Sequence, residues 1–461
     1  GRAPYVDVVL GTHNVHRTAE LISHAREHGP ITEILEAAVV DEHVLFPSAL
    51  PVRREVSYAA WVTIQIGCDN NCAFCIVPAV RGEEISRPFD DVVAEVERFA
   101  ADGVSEITLL GQNVNSYGRD IQRAARRDGD DDARLRPLFA DLLTAVGDVE
   151  GIRRVRFTSP HPKDMRPETF AAMASRILFY IIILPISILP YPLIYFLSDI
   201  LYFILYKLVG YRTEVVLENI ANSFPEKEDK EHKAIMSQFY RHLCDLIVES
   251  IKGFTISEKQ LRKRLIVRNQ EIADKYAQNG QGVIFVGGHI NNWEICAQAV
   301  PFYSEHECIG IYKPLSNTFF DHKMKSTREK YGLKLVSMKQ SKKSFEKNGK
   351  PKAIIFGSDQ SPSNPKRAFW LKFLNQDTGV LFGVEKYAKE YNWPVIYVTI
   401  YKTKRGHYEV EYQLITDTPL ETVYGEITTL FTKSIEKDII NHPQYWLWSH
   451  RRWKHKKPNK D

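Results

Sequence analysis

Lysine is almost missing from the first 174 residues. Eighteen Arg stand there against a single Lys, and with 27 Asp plus Glu the stretch carries a net charge of −8. Residues 175 to 461 reverse every balance, with 31 Lys, 11 Arg and 30 acids giving +12. Lys and Arg serve almost equally well on most solvated surfaces, so ordinary domain differences do not explain so complete a switch. It points to two coding backgrounds joined in one chain, a fusion or chimera, and the overall +4 averages over both. Cysteine is scarce as well: six in 461 residues exclude a secreted disulfide framework. Three of them fall within eight residues, which suggests a ligand cluster in a reducing compartment. The first thirty residues lack a charged segment followed by an apolar one, so no secretory signal is expected, and Gly1 in place of Met suggests a start other than the natural one. Length and an apolar content of 44% predict two or three domains with ordinary cores.

The thiols Cys68, Cys72 and Cys75 form Cys-x3-Cys-x2-Cys on the loop leaving a predicted strand, Tyr58 to Ile66. Three thiolates can hold a [4Fe-4S] cluster and leave one iron open to chelate S-adenosylmethionine; a zinc site lacking its fourth ligand is the plainer alternative. A helix from about Pro88 to Ala101, a strand Glu106–Leu110, a helix from about Pro137 to Val146 and a strand from Arg154 to Thr158 follow. This alternation is the start of a parallel barrel with its chemistry at the strand C-termini, left unfinished. His13 and His16 read as solvated histidines, and Arg126 to Arg134 as a charged surface loop.

Gly67-Cys-Asp-Asn-Asn-Cys-Ala-Phe-Cys-Ile-Val-Pro78, Leu109-Leu-Gly-Gln-Asn-Val-Asn115 and Phe157-Thr-Ser-Pro-His161 resemble the radical-SAM tRNA methylthiotransferases that modify isopentenyl-adenosine. The resemblance covers almost all of residues 1 to 174. It implies that Cys68, Cys72 and Cys75 ligate the cluster and that Gly111, Gln112 and Asn113 lie near S-adenosylmethionine. Residues 1–57 would be a remnant of that family's first domain with a linker, and 58–174 a partial radical-SAM barrel. The cysteines of the first domain, the later strands and the RNA-binding domain are absent from the sequence, so the fragment is expected to be inactive and tRNA is not an expected partner.

From Ile177 to Leu189 no charge appears, and after Pro190 and Pro192 the apolar character resumes through Tyr206 with only Asp199 charged. About thirty residues exceed the roughly 20 that span a bilayer, so 175–210 reads as a membrane segment. Pro185, Pro190 and Pro192 leave open one kinked span or two interfacial pieces.

Further on, an apolar strand at Gly282 to Gly288 delivers His289-Ile-Asn-Asn-Trp-Glu294. Five helical residues turn about 500°, so His289 and Glu294 meet only if His289 precedes the helix, with Asn291 or Asn292 as its N-cap. A carboxylate on one imidazole nitrogen fixes the tautomer and raises the basicity of the other, giving a general base. Strands at Ile309–Pro314, Ala353–Gln360 and Val395–Tyr401 alternate with helical stretches, an α/β layered domain. Cys244, Cys296 and Cys308 are isolated and read as core residues.

Gly287-Gly-His-Ile-Asn-Asn-Trp-Glu294, Tyr312-Lys-Pro314, Arg328, Ser358-Asp-Gln360 and Tyr445-Trp-Leu-Trp-Ser-His-Arg-Arg-Trp-Lys454 resemble the lipid A late acyltransferases of the glycerolipid acyltransferase superfamily. The resemblance runs from about residue 175 to the end, and the module, with its catalytic domain at 211–461, reads as complete. It implies that His289 and Glu294 form the catalytic dyad, with Arg328 and Asp359 contributing to the active site. The expected fold is α/β throughout: a partial radical-SAM (β/α) barrel fragment, then a membrane-anchored glycerolipid-acyltransferase-like domain. The expected activity is transfer of a fatty acyl chain from acyl carrier protein to a hydroxyacyl group of a lipid A precursor, without a cofactor, at the cytoplasmic face of a bacterial inner membrane. The rival is an iron-sulfur tRNA methylthiotransferase with a membrane tail. Arg328 would stabilise an oxyanion or hold phosphate, and the basic run Arg451 to Lys457 would suit anionic headgroups or acidic acyl carrier protein.

Overall fold

The computed structural model describes residues 5–10, 17–33, 56–70, 72, 75–121, 123, 138–315, 317–346 and 349–458. It divides into two compact units, Gly1–Arg176 and Ile177–Asp461. His13, His16, Asn71, Ala73, Phe74 and the charged run from Arg126 to Arg134 lie outside the described residues.

The first unit holds β1 (Val8–Leu10) paired in parallel with β2 (Ile31–Glu33), and then β3 (Ala59–Thr63), β4 (Gln65–Ile66), β5 (Ile85–Ser86), β6 (Glu106–Leu110) and β7 (Arg154–Phe157). Strands β3, β6 and β7 form a parallel three-stranded sheet, with helices Phe89–Ala101 and Phe139–Asp148 as the crossovers. Alternate residues of β3 and β6 point inward: Ala60, Val62, Ile107 and Leu109 pack against Val92 and Val96 of one helix and Leu142 and Val146 of the other. The strand expected from Tyr58 to Ile66 is broken at Ile64. That residue's N–H still donates to Leu110, while its carbonyl accepts from Arg87, so β4 leaves the sheet and pairs antiparallel with β5. Just beyond β4, the Cys68 N–H donates to the Gly82 carbonyl.

The apolar segment forms two helices, Pro167–Ile188 and Tyr191–Leu208, long and apolar enough to cross a membrane by length and composition. The first passes Pro185 by widening its turns over Leu178–Ile183, which relieves the missing N–H and the ring clash without a break. Pro190 and Pro192 then stop one helix and start the next. Within the second unit Phe179, Ser187, Ile194 and Ser198 face protein, while Ile181, Ile188, Phe196 and Leu208 are exposed.

The second unit is built on a seven-stranded sheet with β8 (Leu265–Val267), β9 (Val283–Gly287), β10 (Glu307–Tyr312), β11 (Lys334–Ser337), β12 (Lys352–Gly357), β15 (Val395–Lys404) and β16 (His407–Thr416); β13 (Phe369–Phe373) and β14 (Gln376–Val380) form a separate hairpin. Its order is β11-β10-β12-β9-β15-β16-β8, parallel from β11 to β15, with β16 antiparallel to β15. The central strands β9 and β12 are covered on both faces, which is why they read as unbroken apolar runs. One face packs on helices Asp229–Gly253 and Glu426–Asn441 through Phe239, Tyr240, Phe431 and Ile435. Cys296 and Cys308 lie in the core on the other face, and Cys244 is buried as well.

Helix Glu426–Asn441 leads to the C-terminal end of the chain, and its start is held from outside. The buried Glu385 carboxylate accepts from the Gly425 N–H at 2.6 Å and the Thr428 N–H at 2.9 Å, supplying acceptors that the first turn lacks. Glu385→Ala is expected to destabilise the second unit by about 3 kcal/mol, read as a lower midpoint in denaturant unfolding, because two buried donors lose a charged acceptor; an unchanged midpoint contradicts this.

Candidate active site

The two parallel strands β9 and β12 are paired in a register that sets Gly287 opposite Gly357. His289 and Asp359 each lie two residues beyond these glycines, so the sheet brings them out side by side. Asp359 Oδ2 accepts the His289 backbone N–H at 2.8 Å, and Oδ1 lies 2.6 Å from His289 Nδ1. Trp446 Nε1–H donates to Oδ2 at 2.8 Å, so the buried carboxylate has three donors. Gly357 makes room for the ring: a Cβ there would meet His289 Cε1 at 3.1 Å.

Burial alone would lower the pKa of His289, but the adjacent Asp359 carboxylate outweighs it and raises the value above 6.5. Burial would push Asp359 up; the His289 charge and the hydrogen bonds from His289 and Trp446 hold it well below the usual carboxylate range instead. With Nδ1–H committed to Asp359, Nε2 carries the lone pair. Gln360 Nε2 faces it at 3.2 Å.

Glu294, expected on the imidazole, is bonded elsewhere. Arg328 from helix Thr318–Glu329 donates through Nε to Oε2 at 2.8 Å and through Nη2 to Oε1 at 2.6 Å, while Trp293 Nε1–H reaches Oε1 at 3.1 Å. The expected direct pairing of Glu294 with His289 is therefore corrected to Asp359 with His289. A guanidinium fork takes both carboxylate oxygens at once, and the neighbouring strand already supplies an acceptor in register with the histidine. The negative charge of Glu294 still acts on His289, so the four residues form one electrostatic group.

The turn between His289 and Glu294 is held by its asparagines. Asn291 sits at φ +53°, in the left-handed region that Asn tolerates better than most residues. Asn292 caps helix Trp293–Ala299 by accepting from the Ile295 N–H at 2.9 Å, and its Nδ2 donates at 2.6 Å to buried Glu249, which also accepts from Tyr408 and Tyr195. Trp446, Gln360, Glu249 and Gly357 were not singled out as site residues in the sequence. A hollow lined by Glu307, Lys334, Lys350 and Lys352 lies by the N-terminal ends of the strands and contains none of the site residues.

In the first unit Cys68 is buried while Cys72 and Cys75 are exposed. Burial raises the Cys68 thiol pKa. The donor set suits an iron-sulfur cluster, and Cys72 and Cys75 lie close enough to act on the Cys68 thiol; among the described residues no three His, Cys, Asp or Glu are gathered as a metal-binding group. Gly111, Gln112 and Asn113 follow the C-terminal end of β6, and Asn113 Nδ2 is committed to Asp164 at 2.6 Å.

The family model of the bacterial lipid A biosynthesis acyltransferases matches residues 169–455, well over half of the sequence. The chain belongs to this family. That family is membrane-associated, which agrees in kind with the two apolar helices. The radical SAM superfamily model matches residues 62–189. A tRNA-2-methylthio-N(6)-dimethylallyladenosine synthase of Streptomyces coelicolor is 51% identical over 173 residues, which are 38% of this chain and 31% of that protein. A protein of the same name from Parafrankia sp. is 53% identical over 174 residues, 38% and 32% of the two chains. The chain thus spans about a third of the length of these curated relatives. A solved radical S-adenosylmethionine methyltransferase from Kitasatospora setae overlaps at 24% identity, over 26% of this chain and 28% of that one, with a TM-score of 0.16, too slight to inform the fold. Two stretches of different ancestry are joined in one chain, a chimera.

A base with this partner titrates upward. Because only neutral His289 can accept a proton, kcat/KM for acyl transfer should rise with pH through a single limb with its midpoint above 6.5 and then level off. Asp359→Asn should lower the plateau by about 10²-fold or more and move the limb to lower pH, since burial then dominates the imidazole. A variant whose limb stays in place contradicts the pairing.

Proposed function

We propose that the chain transfers a fatty acyl group from the thioester of acyl carrier protein to a hydroxyl of a hydroxyacylated lipid A precursor, at the cytoplasmic face of a bacterial inner membrane. The observation that carries this reading is the His289–Asp359 pair at the ends of adjacent parallel strands, in a chain of the lipid A acyltransferase family.

The acceptor hydroxyl displaces the Gln360 amide from His289 Nε2 and gives that nitrogen its proton. Its oxygen attacks the thioester carbon, a C–O bond forms, and the carbonyl oxygen becomes an oxyanion. As the oxyanion collapses the C–S bond breaks, and the departing sulfur takes the proton back from the imidazolium. Asp359 holds the ring in one tautomer and offsets its positive charge during the step. Arg328 keeps Nη1 outside its pair with Glu294, and we assign that nitrogen to the oxyanion. Glu294 thus acts through Arg328 and through its field on His289, and the reaction requires no cofactor. The exposed faces of the two apolar helices, rich in Ile and Phe, suit contact with lipid. In this reading the residues of the acyl-transfer reaction all belong to the second unit.

The purified full chain, given acyl carrier protein thioester and a hydroxyacylated precursor, should yield a product heavier by one acyl group. His289→Ala should lower turnover by at least about 10²-fold, and near-normal turnover by that variant contradicts the reading. Cys72→Ala should leave acyl transfer unchanged, and a loss of activity without loss of expression would mean that the two stretches are chemically coupled.

A further inference from the structure

The segment from Tyr445 to Trp453 is strapped across the active-site end of the sheet. Trp446 forms a β-bridge with Ile290 and donates to Asp359. Asn219 Nδ2 donates to the Trp448 and His450 carbonyls at 2.8 and 3.0 Å, Arg212 Nη1 to the Ser449 carbonyl at 2.9 Å, and Trp453 Nε1–H to Thr378 Oγ1 at 2.7 Å. His450 Nε2 accepts from the Ser361 N–H at 3.2 Å, two residues beyond Asp359.

Among the described residues this segment holds a buried cation without a partner. Arg452 is only 3% exposed, unlike its exposed neighbour Arg451, and among the described residues its guanidinium has no hydrogen bond and no ion pair. Its Nε is shut off from solvent without a partner. Burial lowers its pKa to about 10 and the charge of Asp359 opposes that, so it remains a cation at neutral pH. By contrast Arg328 is paired with Glu294, and Asp359 with His289 and Trp446. A buried guanidinium whose backbone is fixed by its neighbours, but whose N–H groups meet no acceptor, has the form of an anion receptor awaiting its anion. Its chain neighbours Trp446 and His450 are bonded to Asp359 and Ser361, which sets Arg452 at the same end of the sheet as His289. A full cation with a planar fork is matched by two oxygens of one anionic group, as a phosphate ester supplies.

Resting on the acyl-transfer reading above, we propose that Arg452 binds a phosphate ester of a substrate and so fixes which hydroxyl reaches His289. The phosphate belongs either to a phosphorylated sugar of the acceptor or to the phosphodiester of the carrier's prosthetic arm. Full-length Arg452→Gln and Arg452→Lys would be assayed with phosphorylated and dephosphorylated acceptor, and with acyl carrier protein or a short acyl thioester lacking phosphate as donor. Arg452→Gln should raise KM about tenfold or more for the phosphate-bearing substrate, with kcat little changed, and should match wild type once that phosphate is removed. Arg452→Lys should recover part of the loss. Loss with phosphorylated acceptor alone assigns the site to the sugar phosphate, and loss with carrier protein alone assigns it to the prosthetic arm. Equal losses with and without phosphate on both substrates, or no change in KM anywhere, overturn the proposal. If wild type transfers no acyl group, the acyl-transfer reading fails separately, and phosphate binding is then read from ³¹P line broadening of glucosamine 1-phosphate. Broadening by wild type that disappears in Arg452→Gln and partly returns in Arg452→Lys supports the site; equal broadening by all three, or none by wild type, overturns it.

Discussion

The active-site end of the second unit depends on one buried carboxylate. Taking a carboxylate out of water is costly unless donors replace the lost solvent, and Asp359 obtains three: two from His289 and one from Trp446. Those bonds join a strand end, its neighbouring strand end and a segment almost ninety residues further along. Removing the carboxylate would release the imidazole's tautomer and the tryptophan together. The same bonds keep Asp359 ionised and make His289 a stronger base than its burial alone would allow. Stability and chemistry therefore rest on the same few atoms.

The pairing of β9 with β12 is what allows this. In a parallel sheet the register of two adjacent strands determines which residues emerge together at their C-terminal ends, where α/β proteins commonly bind their ligands. Gly287 opposite Gly357 places His289 opposite Asp359, and the lack of a side chain at Gly357 lets the imidazole lie against the backbone. The Asn291–Asn292 turn, anchored on Glu249, then aims the following helix so that Glu294 meets Arg328.

Much of this was legible in the residues. The change from Arg to Lys near residue 175 lies close to where the chain divides into its two units. The apolar runs of β9, β10, β12 and β15 show as strands because both of their faces are buried, and Asn292 is one of the two caps the sequence offered. The partner of His289 was not legible. A carboxylate five residues away is conspicuous in sequence, whereas one seventy residues away becomes a neighbour only through strand register. The signal was nonetheless present: Gly-Gly-His and Gly-Ser-Asp end two apolar strands with the same spacing. Arg452 was hidden for a related reason, since a basic run looks solvated until packing shows that one of its members faces inward. In the first unit the break at Ile64 depends on a bond to Arg87, and no local periodicity reveals it.

The central claim is that the chemistry of this chain resides in the His289–Asp359 pair and is acyl transfer. The most direct test is mass spectrometry of lipid A, alongside tRNA nucleosides, from a strain lacking its own late acyltransferase and methylthiotransferase and expressing the full chain. The account predicts lipid A heavier by one acyl chain and unmodified tRNA. Unchanged lipid A together with thiomethylated adenosine in the tRNA would contradict it.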